Sequence, residues 1–248
     1  MIKGKNSIRK SNMGRYSKIL ERLREDELKN INLLNFIENN AVLDIETRGK
    51  SVLLRGKSDQ IWIYISSADE DELKFLKSRL HKTDKHFAAI EDWMVPILLE
   101  DNELIWDLSM TQFYLPDSIE IPKSEMKASP LSLADAETLY DNSEYKEALS
   151  IGYIKDRISR GSSVGLYEKD KMVAWGMTQD DGGMGFLHVL PECRRKYGYN
   201  ITLLLIEKIR QKGKTPFVYI EKENMKSINL VENLKFRKHK GVHWFQLN

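Results

Sequence analysis

The sequence predicts an α/β protein of two successive domains, and three observations predict it. The chain has 248 residues, long enough for two domains of roughly 120 residues, close to the commonest domain size. Helical and strand-like apolar periodicities occur on both sides of one stretch, residues 115–130, that carries Pro116, Pro122 and Pro130 among Asp, Ser, Glu and Lys; this is the composition of a linker. Charged residues make up 31% and apolar residues 41% of the chain, a balance that builds a core and excludes a mainly disordered polymer. The expected organisation is a basic flexible tail at 1–15, an α/β domain at 16–115, a linker at 116–130 and a second α/β (α+β) domain at 131–248 with a mixed central sheet.

In the first domain, Leu20, Leu23, Leu28, Ile31, Leu34 and Ile37 fall at helical spacings, with a break near Asp26. Two β-rich runs follow, 51–55 and 61–66, joined by a turn at 56–59. Leu73, Leu76 and Leu80 mark an amphipathic helix opening at Asp69. A short strand at 86–90, a helical segment at 93–99 and a strand at 104–110 complete the domain, which carries no chemical motif.

In the second domain the expected order is helix (133–140), helix (146–160), strands (163–167, 172–178 and 184–190), helix (201–211), strand (217–221), helix (227–234) and strand (243–247). Lys169, Asp170 and Lys171 make one tight turn, and 180–183 the next, where Asp181 and Gly182 supply the positive-φ positions that such hairpins prefer.

Basic residues number 39 and acidic ones 37, a net charge of +2, and the two signs are interspersed, so nucleic acid is not demanded. Lys3, Lys5, Arg9, Lys10 and Arg15 make the start basic, but no apolar core of a signal peptide follows. No apolar run reaches the length of a membrane span, and the single Cys193 cannot form an internal disulfide. A cytoplasmic protein is expected, without a membrane partner and with a homodimer left open.

Chemistry concentrates in Val189-Leu-Pro-Glu-Cys-Arg-Arg-Lys-Tyr-Gly-Tyr-Asn200, read as a basic, glycine-containing turn between a strand and a helix beginning at Ile201. Free backbone N–H groups, a helix N-terminus and cationic side chains at one point suit a pyrophosphate.

That segment resembles the acyl-CoA-binding motif of the GCN5-related N-acetyltransferases, RxxGx followed by Gly or Ala, behind a strand ending Val-x-Pro. Arg195 and Gly198 take the motif's Arg and first Gly, and Asn200 takes its final small position. The interval from Pro191 to Gly198 is one residue longer than the family's. Gly198 remains the better register, because Leu203 and Leu204 then fall on the family's paired leucines. Downstream, Asn224 and Ser227 match the family's Asn-x-x-Ser/Ala, Lys235 replaces the glycine of its Leu-Gly-Phe, and Val231 stands where many members carry a tyrosine that protonates the leaving thiolate. The run from Trp175 to Arg194 looks most like the glycine N-acyltransferase and FR47-like branch, which acylates small amino acids and related amines. The N-terminal half fits as a degenerate copy of the same fold.

The resemblance implies an acyltransferase that takes acetyl-CoA, or another short acyl-CoA, as cosubstrate and a small primary amine as acceptor, with no metal. The pantetheine arm would lie between the 184–190 and 217–221 strands and pair with the main chain at Val189 and Leu190. The phosphates would meet Arg194, Arg195, Lys196, Tyr197, Gly198, Tyr199 and Asn200, and Asn224 and Ser227 would complete the cofactor-binding set. Candidates for the base are Glu221, Glu223 and His188. A non-catalytic acyl-CoA-binding or scaffold protein is the alternative. Two further patterns carry no chemistry. Gly161-Ser-Ser-Val-Gly165 has a helix before it and a strand after it, the reverse of a nucleophile elbow, and His239 with His243 has no evident third metal ligand.

Overall fold

The structure, a computed structural model, describes Gly14 and residues 16–248 except 101, 144, 145, 147 and 148, and of Arg194, Arg195 and Lys196 it describes the backbone alone. The basic tail at 1–15 therefore lies, Gly14 apart, outside the described residues. Packing divides the chain into a first unit that runs to Gln112 and takes back Lys240–Asn248, and a second unit, Phe113–His239. Against the expected boundaries, most of the last strand is thus a member of the first unit. The expected linker is part of the second: Leu115 is fully buried, Ile119, Ile121 and Met126 pack on the second unit's core, and Ser129 bridges to Gly165. Apolar residues interleaved with the prolines explain this, because proline removes a backbone donor without preventing burial of its neighbours.

In the first unit, helices α1 (Ser17–Arg24) and α2 (Ile31–Asn39) precede the antiparallel strands β1 (Ala41–Arg48), β2 (Ser51–Lys57) and β3 (Ile61–Ser66). Then come α3 (Glu70–Ser78), β4 (His86–Glu91), α4 (Val95–Leu99) and β5 (Leu104–Tyr114). The strand order is β1-β2-β3-β4-β10-β5, where β10 is Arg237–Leu247. Strand β1 escapes the sequence reading because it has no buried residue to set a period. The core joins Leu73 and Leu76 of α3 to Leu53, Ile63, Phe87 and Phe245, with Phe87 and Phe245 stacked at 4.7 Å. His243 is held between Asp92 and Asp107 at 3.1 and 2.8 Å.

The second unit repeats that order of elements. Helices α5 (Ala136–Asp141) and α6 (Ile151–Arg160) precede the antiparallel strands β6 (Ser163–Glu168), β7 (Lys171–Thr178) and β8 (Met184–Val189). Helix α7 (Arg194–Arg210), strand β9 (Phe217–Glu221) and helix α8 (Met225–Asn233) follow, and the strand order is β9-β8-β7-β6. One face is covered by α7 and α8 through Ile201, Leu205, Ile209, Val231 and Leu234; the other is covered by α5 and α6 through Ala136, Leu139 and Ile154, which surround Trp175.

Two local expectations are corrected. Helix α7 begins at Arg194 after a short 3-10 turn, Pro191–Cys193, so the segment read as a turn up to Asn200 is already helical. Arg, Lys and Tyr are tolerated in helices, and one interior glycine costs only about 1 kcal/mol, which the burial of Tyr197 and Ile201 offsets. In the β7–β8 turn only Gly182, at φ 87°, is left-handed; Asp181 is not.

Asp181 turns inward instead. Its buried carboxylate accepts hydrogen bonds from Gly183 N and Tyr219 Oη, both at 3.0 Å, and so ties the β7–β8 turn to β9. Burial, reinforced by the neighbouring Asp180 carboxylate, pushes its pKa up to about 7 from the ordinary 3.8. The folded state therefore holds a proton that the unfolded chain releases, and this contribution to stability is complete below pH 3.8 and is lost as pH rises to about 7. Asp181→Asn is expected to flatten the fall in stability over this range and to exceed wild type above it. Urea unfolding of both proteins from pH 4 to 8 checks this; parallel profiles would refute it.

Candidate functional site

The site is built on β8. This strand lies between β7 and β9 and under helices on both faces, an environment that buries a strand completely, and β7 is buried from Met172 to Thr178. Yet every residue from Gly185 to Leu190 is only half-buried. Its counterpart in the first unit, β3, is buried from Ile63 to Ser66. The difference arises where β8 meets the parallel strand β9. Their registered pair is Met184 with Val218, at the start of both strands, and two residues further on Phe186 has φ 50°. A left-handed backbone is a strained conformation for a bulky side chain, and it breaks the regular alternation of β8.

Beyond this bend Leu190 N donates to Val173 O of β7 at 2.9 Å. The sequence reading gave both Val189 and Leu190 main-chain groups to a ligand, but the Leu190 amide is already committed to the sheet. Alternation directs the Val189 N–H and C=O to the opposite side, toward β9, past the registered pair.

The end of β8 leads through the 3-10 turn into α7, whose N-cap is Cys193. Among the described residues no side chain caps this helix, and no acidic residue lies in its first turn to repel an anion. Arg194, Arg195 and Lys196 open the helix; their side chains lie outside the described residues. In the first unit the corresponding helix α3 is closed: Asp69 accepts from Glu72 N at 2.8 Å, and Glu70, Asp71 and Glu72 fill the first turn. Carboxylates at that end repel a phosphate.

The remaining cofactor candidates take different places. Gly198 sits one turn into α7, where an added Cβ would meet nothing within 4 Å. Packing among the described residues therefore does not require glycine there. Tyr197 is buried, and its hydroxyl bonds to Glu168 at the end of β6. Tyr199 is exposed. Asn200 accepts from Ser124 Oγ at 2.8 Å and from Glu125 N at 3.2 Å, anchoring the proline-bearing segment to α7. Asn224 caps α8 by accepting from Ser227 N at 3.2 Å, so this matched pair has a local role that fixes the start of α8. Val231, at the place of the family's tyrosine, is buried in the core.

Of the candidate bases, His188 stacks flat on Trp175, with centroids 4.5 Å apart, and its Nε2 is buried. Glu223 is exposed beyond the end of β9. Glu221 is half-buried at the last position of β9. Val218 and Ile220 belong to the core under α7 and α8, so alternation puts Glu221 on the α5/α6 face. Phe186 and Leu190 also pack there. No group of metal ligands occurs among the described residues, and none of their helices is long and apolar enough to cross a membrane.

Residues 163–245 match the family model of the FR47-like proteins. Over these residues the C-terminal half is similar to the FR47-like proteins. Solved structures extend the likeness of fold to the rest of the chain. A Drosophila protein from a structural genomics programme is similar over 95% of this chain and 96% of its own, with a TM-score of 0.79 at 16% identity. A GCN5-related N-acetyltransferase of Kribbella flavida matches over 89% of this chain and 94% of its own, with a TM-score of 0.58 at 11% identity. A tandem protein of this superfamily from the clavulanic acid biosynthesis pathway matches over 88% and 87%, with a TM-score of 0.54 at 10% identity. No curated protein matches the chain significantly. The matched residues fall mostly in the second of two units with the same order of elements, and β8 with the start of α7 lies among them.

The anchoring role of Asn200 is testable. Asn200→Ala removes the acceptor of two hydrogen bonds and is expected to lower stability by about 1 to 2 kcal/mol. Chemical denaturation measures it, and an unchanged midpoint would show that the anchor carries no weight.

Proposed function

We propose that the second unit transfers an acetyl or other short acyl group from acyl-CoA to the primary amine of a small molecule. The observation that carries this reading is the opening of β8 on both faces beyond the Phe186 bend, since two substrates that react with each other need access to one point from two sides. On the α7 side, the pantetheine arm runs along β8 past Val189, and the pyrophosphate lies on the uncapped N-terminus of α7 with Gly198 beneath it. Arg194, Arg195 and Lys196 supply neutralising charge at that end. On the α5/α6 side, the amine enters toward Glu221.

Acyl-CoA brings an activated thioester, and the protein supplies proximity and charge stabilisation. The Val189 N–H donates to the thioester oxygen as negative charge develops on it. Glu221 accepts the amine proton as the nitrogen lone pair forms the new C–N bond. The C–S bond breaks with its electron pair on sulfur, and a solvent proton completes free CoA. The Val231 side chain has no proton to give, which makes solvent the acid. Burial of Val231 also favours a second reading, an acyl-CoA-binding protein without transferase activity, which would bind acyl-CoA and release no thiol when amines are added.

Calorimetric titration with acetyl-CoA is expected to show one equivalent per chain, because Asp69 and its acidic neighbours close the helix end in the first unit. Gly198→Ala should raise unfolding stability by up to about 1 kcal/mol, the helix-propensity difference, while weakening acetyl-CoA binding. Two equivalents, or none, would overturn this placement. Glu221→Gln is expected to keep acetyl-CoA binding and to lower kcat by about 10²-fold or more, read as amine-dependent thiol release; full activity would remove Glu221 as the base.

A further inference from the structure

The α5/α6 side of β8 has a composition that narrows the acceptor. Phe186 projects from β8 to this face and packs on the cluster around Trp175, and Leu190, just after the strand, packs on this cluster and on the core under α7 and α8. His188 lies between them in sequence and covers the Trp175 ring at an interplanar angle of 15°. From α6, the Tyr153 ring stands 6.1 Å from that of Phe186. All four of these packed positions, Tyr153, Phe186, His188 and Leu190, are half-buried, so the opening on this face is walled by rings and an aliphatic chain. Strand alternation puts Glu221, the last residue of β9, on the same face.

A glycine-sized amino acid would bring a carboxylate to this wall, and burying that charge without a partner is costly. The guanidinium beside these rings is Arg157, which lies 5.5 Å over Tyr153. It does not offer itself to a substrate. Its side chain is only 2% exposed and is hydrogen-bonded to Asp156. A ring or other apolar body, by contrast, gains by leaving water against Phe186 and Tyr153.

Building on the transfer reading above, we infer that the acceptor of this site is a primary amine carried on an apolar, ring-sized body, with the ring against Phe186 and Tyr153 and the amine directed to Glu221. This departs from the small amino acids that the sequence resemblance implied. The bond changes are those already given for the transfer, with the arylalkylamine nitrogen as nucleophile and free CoA as the second product.

The test measures thiol release at saturating acetyl-CoA with 2-phenylethylamine, ethanolamine and glycine as acceptors. The expected result is a kcat/KM for 2-phenylethylamine about tenfold or more above that for either small amine, the discrimination an apolar pocket provides. Phe186→Leu and Tyr153→Leu should each narrow that ratio, mainly through KM for the aromatic amine. Damage to the fold alone would lower all the rates together and leave the ratio unchanged, and that outcome would count against the wall. Glycine or ethanolamine preferred over 2-phenylethylamine would overturn this inference and leave the transferase reading standing. Acetyl-CoA binding with no thiol release from any amine would overturn both.

Discussion

Parallel strands β8 and β9 are joined at one end and part at the other, and the site depends on that asymmetry. At the joined end, Met184 is registered with Val218, and Asp181 beneath them receives the Tyr219 hydroxyl, so the β7–β8 turn and β9 are tied together. At the parting end, main-chain groups that would have completed a ladder face an opening instead. Buried backbone groups must find partners, so such an opening suits a substrate that presents amides of its own. The left-handed Phe186 marks where the strand leaves the ladder, and the cost of that conformation is met by packing on both faces of the sheet.

The two units share one order of elements and differ at the strand and helix end where the candidate site lies. Strand β3 also pairs in parallel with its neighbour at a single position, Ile63 with Phe87, and β4 has its own left-handed residue, Ala89. Yet β3 is buried where β8 is open. Asp69 caps α3, whereas α7 has no side-chain cap among the described residues. A capped helix with three acids in its first turn gains stability and loses affinity for phosphate, since the same N–H groups and the same dipole serve both. On the transfer reading proposed above, the first unit is stabilised at the place where the second is kept available.

The candidate site was legible where a residue acts through its backbone or its position in a motif. Gly198 is such a position, and an added Cβ there would meet nothing within 4 Å. Helix boundaries were less legible. The arginine and lysine residues after Pro191 and the glycine at 198 look like a turn when taken locally, but burial of Tyr197 and Ile201 carries the helix back to Arg194. Asn200 and Asn224 were read as ligand contacts, and each has an intramolecular partner that motif matching cannot reveal. The bend at Phe186 had one local signal, the isolated Gly185 before it, which in a strand pattern suggests a bulge.

By itself the sequence determined the kind and order of most elements, because periodicity of 3.6 or 2 and the turn residues are local properties. It also determined the position of the basic, glycine-bearing segment behind β8. Only the tertiary structure decided which unit keeps the last strand, which helix end a side chain caps, and which face of the sheet Glu221, Phe186 and His188 occupy. Those depend on contacts between residues distant in sequence, where strand register and side-chain packing are set jointly and no single segment carries the information.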